Sequence, residues 1–229
     1  MRPIFTIVCP DYEGVVSPER RFCAIESVFR QSFPAWELLL IHDGPRAGSL
    51  SSKIPSDKRV RIIETKERVG DWGHSLRRLG IEAAQGKFIL HFNADNVLYE
   101  HGLAILFAYS LRRPERIVVR RDGADKKSAF FVNPEVLVFG LRMMGKLSIF
   151  QQRTAIRMVG EENRHSILLP GCPPVHRSID CMQMVASKRI YDSIGGWYDT
   201  SRESDGIIFE RIAREYGYLI VPDVLGEHW

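Results

Sequence analysis

Residues 4–9 (IFTIVC) form a short, unbroken apolar run rich in β-branched side chains, the mark of a strand buried on both faces. The period then changes. From Ser17, a capping residue followed by Pro18 and the acidic Glu19, positions Phe22, Ile25, Val28 and Phe29 recur at helical spacing and predict a helix over 17–32. The apolar runs 36–44, 59–65, 87–92 and 116–121 read as further buried strands, and 71–86 and 101–113 as the helices between them. Gly73 and Gly86 bound the first of these helices, and Pro114 closes the second. Strands and helices alternating at these lengths predict an α/β domain with a doubly wound, mostly parallel sheet flanked by helices.

From about 122 to 178 the pattern is less regular, with many Arg, Lys, Gly and Pro residues. Its apolar segment 129–150, interrupted by Arg142 and Lys146, reads as helical core or as cover over one side of a binding site, with a membrane-surface patch as the alternative. Order returns with a strand over 181–187, a short helix from Lys188 and a longer helix over 205–217 carrying Ile207, Ile208, Ile212 and Tyr216 on one side. A last strand over 218–223 leads into Gly226-Glu227-His228-Trp229.

Ligands of doubly wound sheets bind outside the carboxyl ends of the strands. Polar residues gather at three such ends: Pro10-Asp11-Tyr12-Glu13, His42-Asp43-Gly44 and Asn93-Ala94-Asp95-Asn96. Neither GxGxxG nor GxxxxGK[ST] occurs, which excludes ordinary dinucleotide-binding and P-loop folds. The chain of 229 residues is long enough for one substantial core. Its formal charge of +4 suits a phosphate-bearing ligand or an anionic surface and falls short of a nucleic-acid footprint. Cys9, Cys23, Cys172 and Cys181 make no CxxC pair, which argues against zinc. Cys9 and Cys23, in or beside apolar segments, read as buried reduced thiols of a cytoplasmic protein. No window reaches the roughly 18 apolar residues of a membrane span, so any membrane contact is expected to be peripheral, at the inner face.

Four segments, in order, resemble the inverting family 2 glycosyltransferases of the GT-A fold, the nucleotide-diphospho-sugar transferase type. They are FTIVCPDYEG, AIESVFRQSFPAWELLLIHDG, GHSLRRLGIEAAQGKFILHFNAD and GGWYDTSRESDGIIFERIAREYG. The resemblance implies one GT-A domain over 1–229, with 1–121 as the nucleotide-sugar half and 122–229 as the acceptor half. It implies transfer of a sugar from a nucleotide-diphosphate donor, uridine by family frequency, to a hydroxyl of a glycan, lipid-linked or small-molecule acceptor. Mn²⁺ or Mg²⁺ assists, and no nucleic acid takes part. A homodimer stays open.

Carried over residue by residue, Asp43 faces the nucleobase or ribose, with an Asp-Gly turn as the purely structural alternative. Pro10, Asp11, Tyr12 and Glu13 border the same crevice, and Arg77 faces the nucleotide. Asn93-Ala94-Asp95 occupies the DxD position with an amide for its first acid. Asp95 is therefore the expected metal ligand, and Asn93 a partner of the ribose or of a metal-bound water. His228 is a second expected ligand, with Trp229 packing over the donor. Counting back from Arg211 gives Asp205 as the general base that deprotonates the acceptor; Ser204 stands where the family has Glu, and Glu203 exchanges roles with Asp205 under a one-residue shift. Trp72 is assigned to the core, with the donor pocket as the alternative. Two other readings stay open: a sugar-phosphate nucleotidyltransferase, although the Gly-rich basic loop of that class is absent after the first strand, and a non-catalytic nucleotide- or glycan-binding module.

Overall fold

Strand β1 (Phe5–Asp11) runs through the middle of the first half of the sheet, parallel to β2 (Trp36–His42) on one side and β4 (Phe88–His91) on the other. Strand β3 (Val60–Glu64) continues the parallel set beyond β2, giving the order β3-β2-β1-β4. The computed structural model describes residues 2–12, 16–45, 56–120, 127–144, 156–159 and 165–229.

The unbroken apolar runs follow from burial on both faces. Phe5, Ile7 and Cys9 of β1 and Leu38 and Leu40 of β2 point to one side, where they meet Ala24, Ile25 and Val28 of α1 (Pro18–Phe29) and Leu103 and Leu106 of α3 (Gly102–Ser110). Val8, Leu39, Ile41 and Ile89 point to the other. There they pack on Leu76 and Ile81 of α2 (His74–Ala83), Ile190 of α4 (Lys188–Ile194) and Ile208 and Ile212 of α5 (Ser204–Tyr216). Helix α1 starts as its sequence dictates: Ser17 Oγ accepts from the Arg20 backbone N–H, and Pro18 takes the first helical position.

Past β4 the pairing turns antiparallel. Strand β11 (Met184–Ser187) lies against β4, β8 (Val136–Met144) against β11, then β10 (His165–Leu169) and β9 (Ile156–Val159). The helix expected within 129–150 is instead strand β8. Val136 to Leu141 are buried within the sheet, where β8 pairs with three other strands, and a short apolar run has no period that separates this from a core helix. Residues 145–150, with Lys146, lie outside the described residues. The strand read over 116–121 exists as β6 (Glu115–Arg120), but it pairs with β7 (Lys127–Val132) in a separate ribbon rather than in the main sheet. Residues 181–183 make a 3₁₀ turn before β11. Phe22 is 48% exposed, because the buried stripe of α1 passes through Ala24, Ile25 and Val28 instead. Cys9 and Cys181 are buried, Cys23 is exposed, and all four thiols are free.

The last strand is longer than the sequence pattern allows. Strand β12 (Leu219–His228) runs parallel to β8 and absorbs Pro222, which has no N–H to give to a ladder, through register shifts flanking Val224. Its end pairs antiparallel with β5 (Asn96–Leu98), placing His228 opposite Asn96. Gly226 makes this approach feasible: a Cβ there would sit 2.4 Å from the Val97 carbonyl oxygen and 2.5 Å from Met182 Cε. Among the described residues, no helix is long and apolar enough to cross a membrane.

Gln31 ties these parts together. Its amide N–H groups donate to the carbonyls of Ser27, Leu98 and Tyr99, and its amide oxygen accepts from the Leu103 N–H. One buried side chain thus fixes the end of α1, the strand after Asp95 and the start of α3. Gln31→Ala strands several buried backbone groups, and a loss of about 2 kcal/mol in unfolding free energy is expected by urea titration. Loss below a few tenths of a kcal/mol would show that water replaces the amide.

Candidate active site

The carboxyl ends of β1, β2 and β4 open on a cavity of about 670 Å³. Pro10, Asp11, Tyr12, Asp43, Arg77, Asn93, Ala94, Asp95 and Asp205 all line it, so residues separated by almost two hundred positions share one wall system. A larger groove of about 1300 Å³, bordered by Phe131, Glu210 and Tyr216, holds none of the sequence-predicted residues. Glu13 lies outside the described residues.

On the β1–β2 side, the acids build the wall. Asp11 Oδ1 pairs with Arg21 Nε at 2.9 Å, both side chains 5% exposed, and its carbonyl accepts from the Asp43 N–H. Asp43 Oδ1 accepts from the Val69 N–H at 2.7 Å and Oδ2 from the Gly70 N–H at 2.9 Å. Its carboxylate thereby anchors the loop that carries Arg68, whose guanidinium lies 3.8 Å over the Tyr12 ring, and then Trp72. Trp72 is not core: it is 68% exposed at the cavity with φ of 56°, a conformation rare for a bulky residue. Gly73 follows at φ 81°, where a Cβ would come within 2.8 Å of Pro10 Cβ. This close contact seats the start of α2 against β1.

Arg77, on the first turns of α2, is 4% exposed. Its Nη2 donates to Asn93 Oδ1 at 2.6 Å and its Nη1 to the Trp72 carbonyl at 3.1 Å. The Asn93 N–H in turn donates to Asn96 Oδ1. Beneath the guanidinium lies an aromatic floor of Trp197, His91 and His74, with the Trp197 indole N–H donating to His74 Nδ1. Burial, then the Arg77 charge, lowers the His74 pKa to about 4, so this floor is neutral at physiological pH.

On the far side, Asp95 Oδ1 is buried without a hydrogen-bond partner, while Oδ2 lies 3.7 Å from His228 Nε2. Burial raises the Asp95 pKa, and His228 counteracts it. His228 Nδ1 faces Asn96 Nδ2 at 3.1 Å and Asp180 Oδ2 at 3.6 Å. Asp180 was not singled out in the sequence. It caps the 3₁₀ turn at Cys181, and its only local signature is the spacing Asp180–Gln183 of a capping box. Among the described residues, no three His, Cys, Asp or Glu side chains are gathered closely enough to hold a metal alone. Asp95 and His228 still fit a hard divalent cation. One Asp95 oxygen is buried without a partner while the other faces the His228 imidazole, and such ions commonly complete their shell with phosphate oxygens and water.

Asp205 stands in the first turn of α5, with Oδ1 accepting from the Gly206 N–H. Burial, then the nearby Asp180, raises its pKa to about 6. Glu203 takes another direction: its oxygens hold His176 Nε2 and Arg177 Nη2, each at 2.8 Å, and it does not line the cavity. Ser204 is fully buried, its hydroxyl donating to the Asp199 carbonyl, so the residue in place of the family's Glu serves the helix start.

A GT-A sheet with this crevice agrees with what the chain resembles. The model of glycosyl transferase family 2 matches residues 24–169, more than half of the chain. This chain belongs to glycosyl transferase family 2. An uncharacterized glycosyltransferase of Rickettsia felis is 34% identical over 84 residues, covering 36% of this chain and 14% of the relative. Residues 1–349 of S. aureus TarS superpose with a TM-score of 0.65 at 13% identity, covering 98% of this chain and 60% of that one. TarS has also been solved with UDP and with UDP-GlcNAc. The mannosyltransferase PcManGT from Pyrobaculum calidifontis, solved with GDP-Man and Mn²⁺, gives a TM-score of 0.59 at 14% identity, covering 100% and 57%. At these identities the structural likeness is one of fold, the GT-A glycosyltransferase fold. The family 2 chain thus spans less than two thirds of each of these proteins.

The buried Asp205 has a testable cost. Between its ordinary 3.8 and about 6, the folded state binds more protons than the unfolded one, so stability falls as pH rises through that window and stays lower above it. Asp205→Asn is expected to melt above the wild type at about pH 7.5, with the gap closing as pH approaches about 4. A pH-independent gap would show that the carboxyl is not desolvated.

Proposed function

We propose that this family 2 domain transfers a sugar, with inversion, from a nucleoside-diphosphate donor to an acceptor hydroxyl. The observation that carries this reading is that Arg77, Asn93, Asp95 and Asp205 line one cavity, and that of the two predicted catalytic acids only Asp205 reaches it. The nucleoside would lie along Pro10, Tyr12 and the loop anchored by Asp43, within residues 1–121, the donor half. Asp11 and Asp43 act by holding that wall in shape. The acceptor would enter from the side of residues 122–229.

Arg77 faces the diphosphate, and Asp95 with His228 would hold Mn²⁺ or Mg²⁺ against it. When bound, that ion supplies neutralisation of the charge that grows on the departing diphosphate. Asp205 accepts the acceptor proton as the hydroxyl oxygen attacks the anomeric carbon opposite the leaving group. Burial suits it to this work, because a carboxylate with a pKa near 6 is a stronger base than an exposed one and is still ionised at neutral pH. UDP and GDP donors are the first to test, since those are the nucleotides of the solved neighbours.

The test is nucleotide release from a panel of UDP- and GDP-sugars with mixed glycan acceptors. Asp205→Asn is expected to lower turnover by about 10²–10⁴-fold while leaving nucleotide affinity within about threefold. The acid limb of the wild-type turnover profile is expected near pH 6, with activity lost below it as Asp205 protonates. Transfer at an undiminished rate in Asp205→Asn would contradict the assignment of the base.

A further inference from the structure

Arg77 is a buried cation that makes no direct ion pair with an acid among the described residues. Its hydrogen-bond partners are the Asn93 amide oxygen, the Trp72 carbonyl and, at 3.6 Å, Cys181 Sγ, none of them ionised. Burial raises the Cys181 thiol pKa well above the ordinary range, and the His74 and His91 imidazoles are held neutral beneath the guanidinium. Its buried Nε–H has no acceptor, and the acid its charge acts on, Asp205, makes no hydrogen bond to it. A guanidinium taken out of water without a counter-charge is costly, and structures keep one where an anion arrives to pair with it. The donor diphosphate is such an anion. The inference rests on the function proposed above.

The position of Asn93 gives the device its meaning. The Asn93 N–H is fixed by Asn96 Oδ1, and its side-chain oxygen must be the atom that faces Arg77, since a guanidinium only donates. A carboxylate in the same place would make the same hydrogen bond and cancel the charge. We propose that Asn93 is a positioning residue that holds Arg77 without neutralising it. Arg77 thereby carries part of the charge neutralisation of the donor diphosphate, and nucleotide binding depends less on the divalent ion than it would with two acids. The loss of one acid from the metal side and the gain of one free positive charge beside it are then a single change.

Titration calorimetry of UDP and GDP into the wild type, Asn93→Asp and Asn93→Ala, each with Mn²⁺ and with EDTA, tests this. For whichever nucleotide the wild type prefers, removal of Mn²⁺ is expected to weaken binding by no more than about 10-fold in the wild type and Asn93→Ala, and by about 100-fold in Asn93→Asp. The ligand-free Asn93→Asp protein is expected to melt above the wild type, because its carboxylate pairs with the buried cation. Equal metal dependence in the wild type and Asn93→Asp overturns the inference and leaves the proposed function standing. An Asn93→Ala protein that behaves like Asn93→Asp also overturns it, since shape rather than charge would then govern. Failure of the wild type to bind either nucleotide in both conditions overturns the proposed function and this inference together.

Discussion

The site depends on the pairing of β12 with β5, two short stretches of backbone far apart in the chain. Strand β12 follows β8 across the sheet, slips register around Pro222, and reaches β5 only because Gly226 presents no Cβ to Val97 and Met182. The pairing sets His228 beside Asn96, one residue after Asp95. The pairing thereby brings the His228 imidazole to face the Asp95 carboxylate, which lines the cavity. Gln31 supports the same junction from behind, since three of its four hydrogen bonds run to Leu98, Tyr99 and Leu103.

Around that junction the charges are sorted by side. The β1–β2 acids are spent on structure: Asp11 on Arg21, Asp43 on two loop N–H groups. Asp95 and Asp205 are less completely satisfied: burial first, and then the nearby Asp180 charge, raises the proton affinity of each. Between the two groups lies Arg77, fixed by neutral partners over an aromatic floor. An anionic ligand placed there meets one fixed cation and one carboxylate–imidazole pair suited to a second. In the proposed function, this field is what would favour a diphosphate beside Arg77 and a basic carboxylate at Asp205.

Much of this was legible from the sequence. The alternating apolar runs specified the parallel half of the sheet, and the polar residues at the strand ends marked the cavity, because strands buried on both faces leave few other places for them. The family segments pointed to Arg77, Asp95 and Asp205, which line the cavity, and a separate resemblance at the terminal GEHW pointed to His228, which faces Asp95. Periodicity could not distinguish β8 from a helix, because a run buried on every side has no polar face to report. Asp180 was hidden for a different reason: its chemistry comes from tertiary contact with His228, and its neighbours in sequence suggest only a turn. Trp72 was misread because its exposure is imposed by a left-handed backbone between Asp71 and Gly73, whereas side-chain apolarity alone favours the core. The motif reading named Asp205 as the base with Glu203 as its substitute under a one-residue shift, and the pairing of Glu203 with His176 and Arg177, away from the cavity, is in keeping with the proposed choice.

The central claim is that this cavity receives a nucleoside-diphosphate sugar with its diphosphate between Arg77 and Asp95. The most direct measurement is a crystal structure of the chain grown with Mn²⁺ and UDP or GDP, with anomalous scattering used to locate the ion. The account predicts a single strong Mn²⁺ peak within bonding distance of Asp95 and His228, a diphosphate between it and Arg77, and an Asp205 carboxylate that does not ligate the ion. A nucleotide seated in the groove by Tyr216, or an ion bound away from both Asp95 and His228, would contradict it.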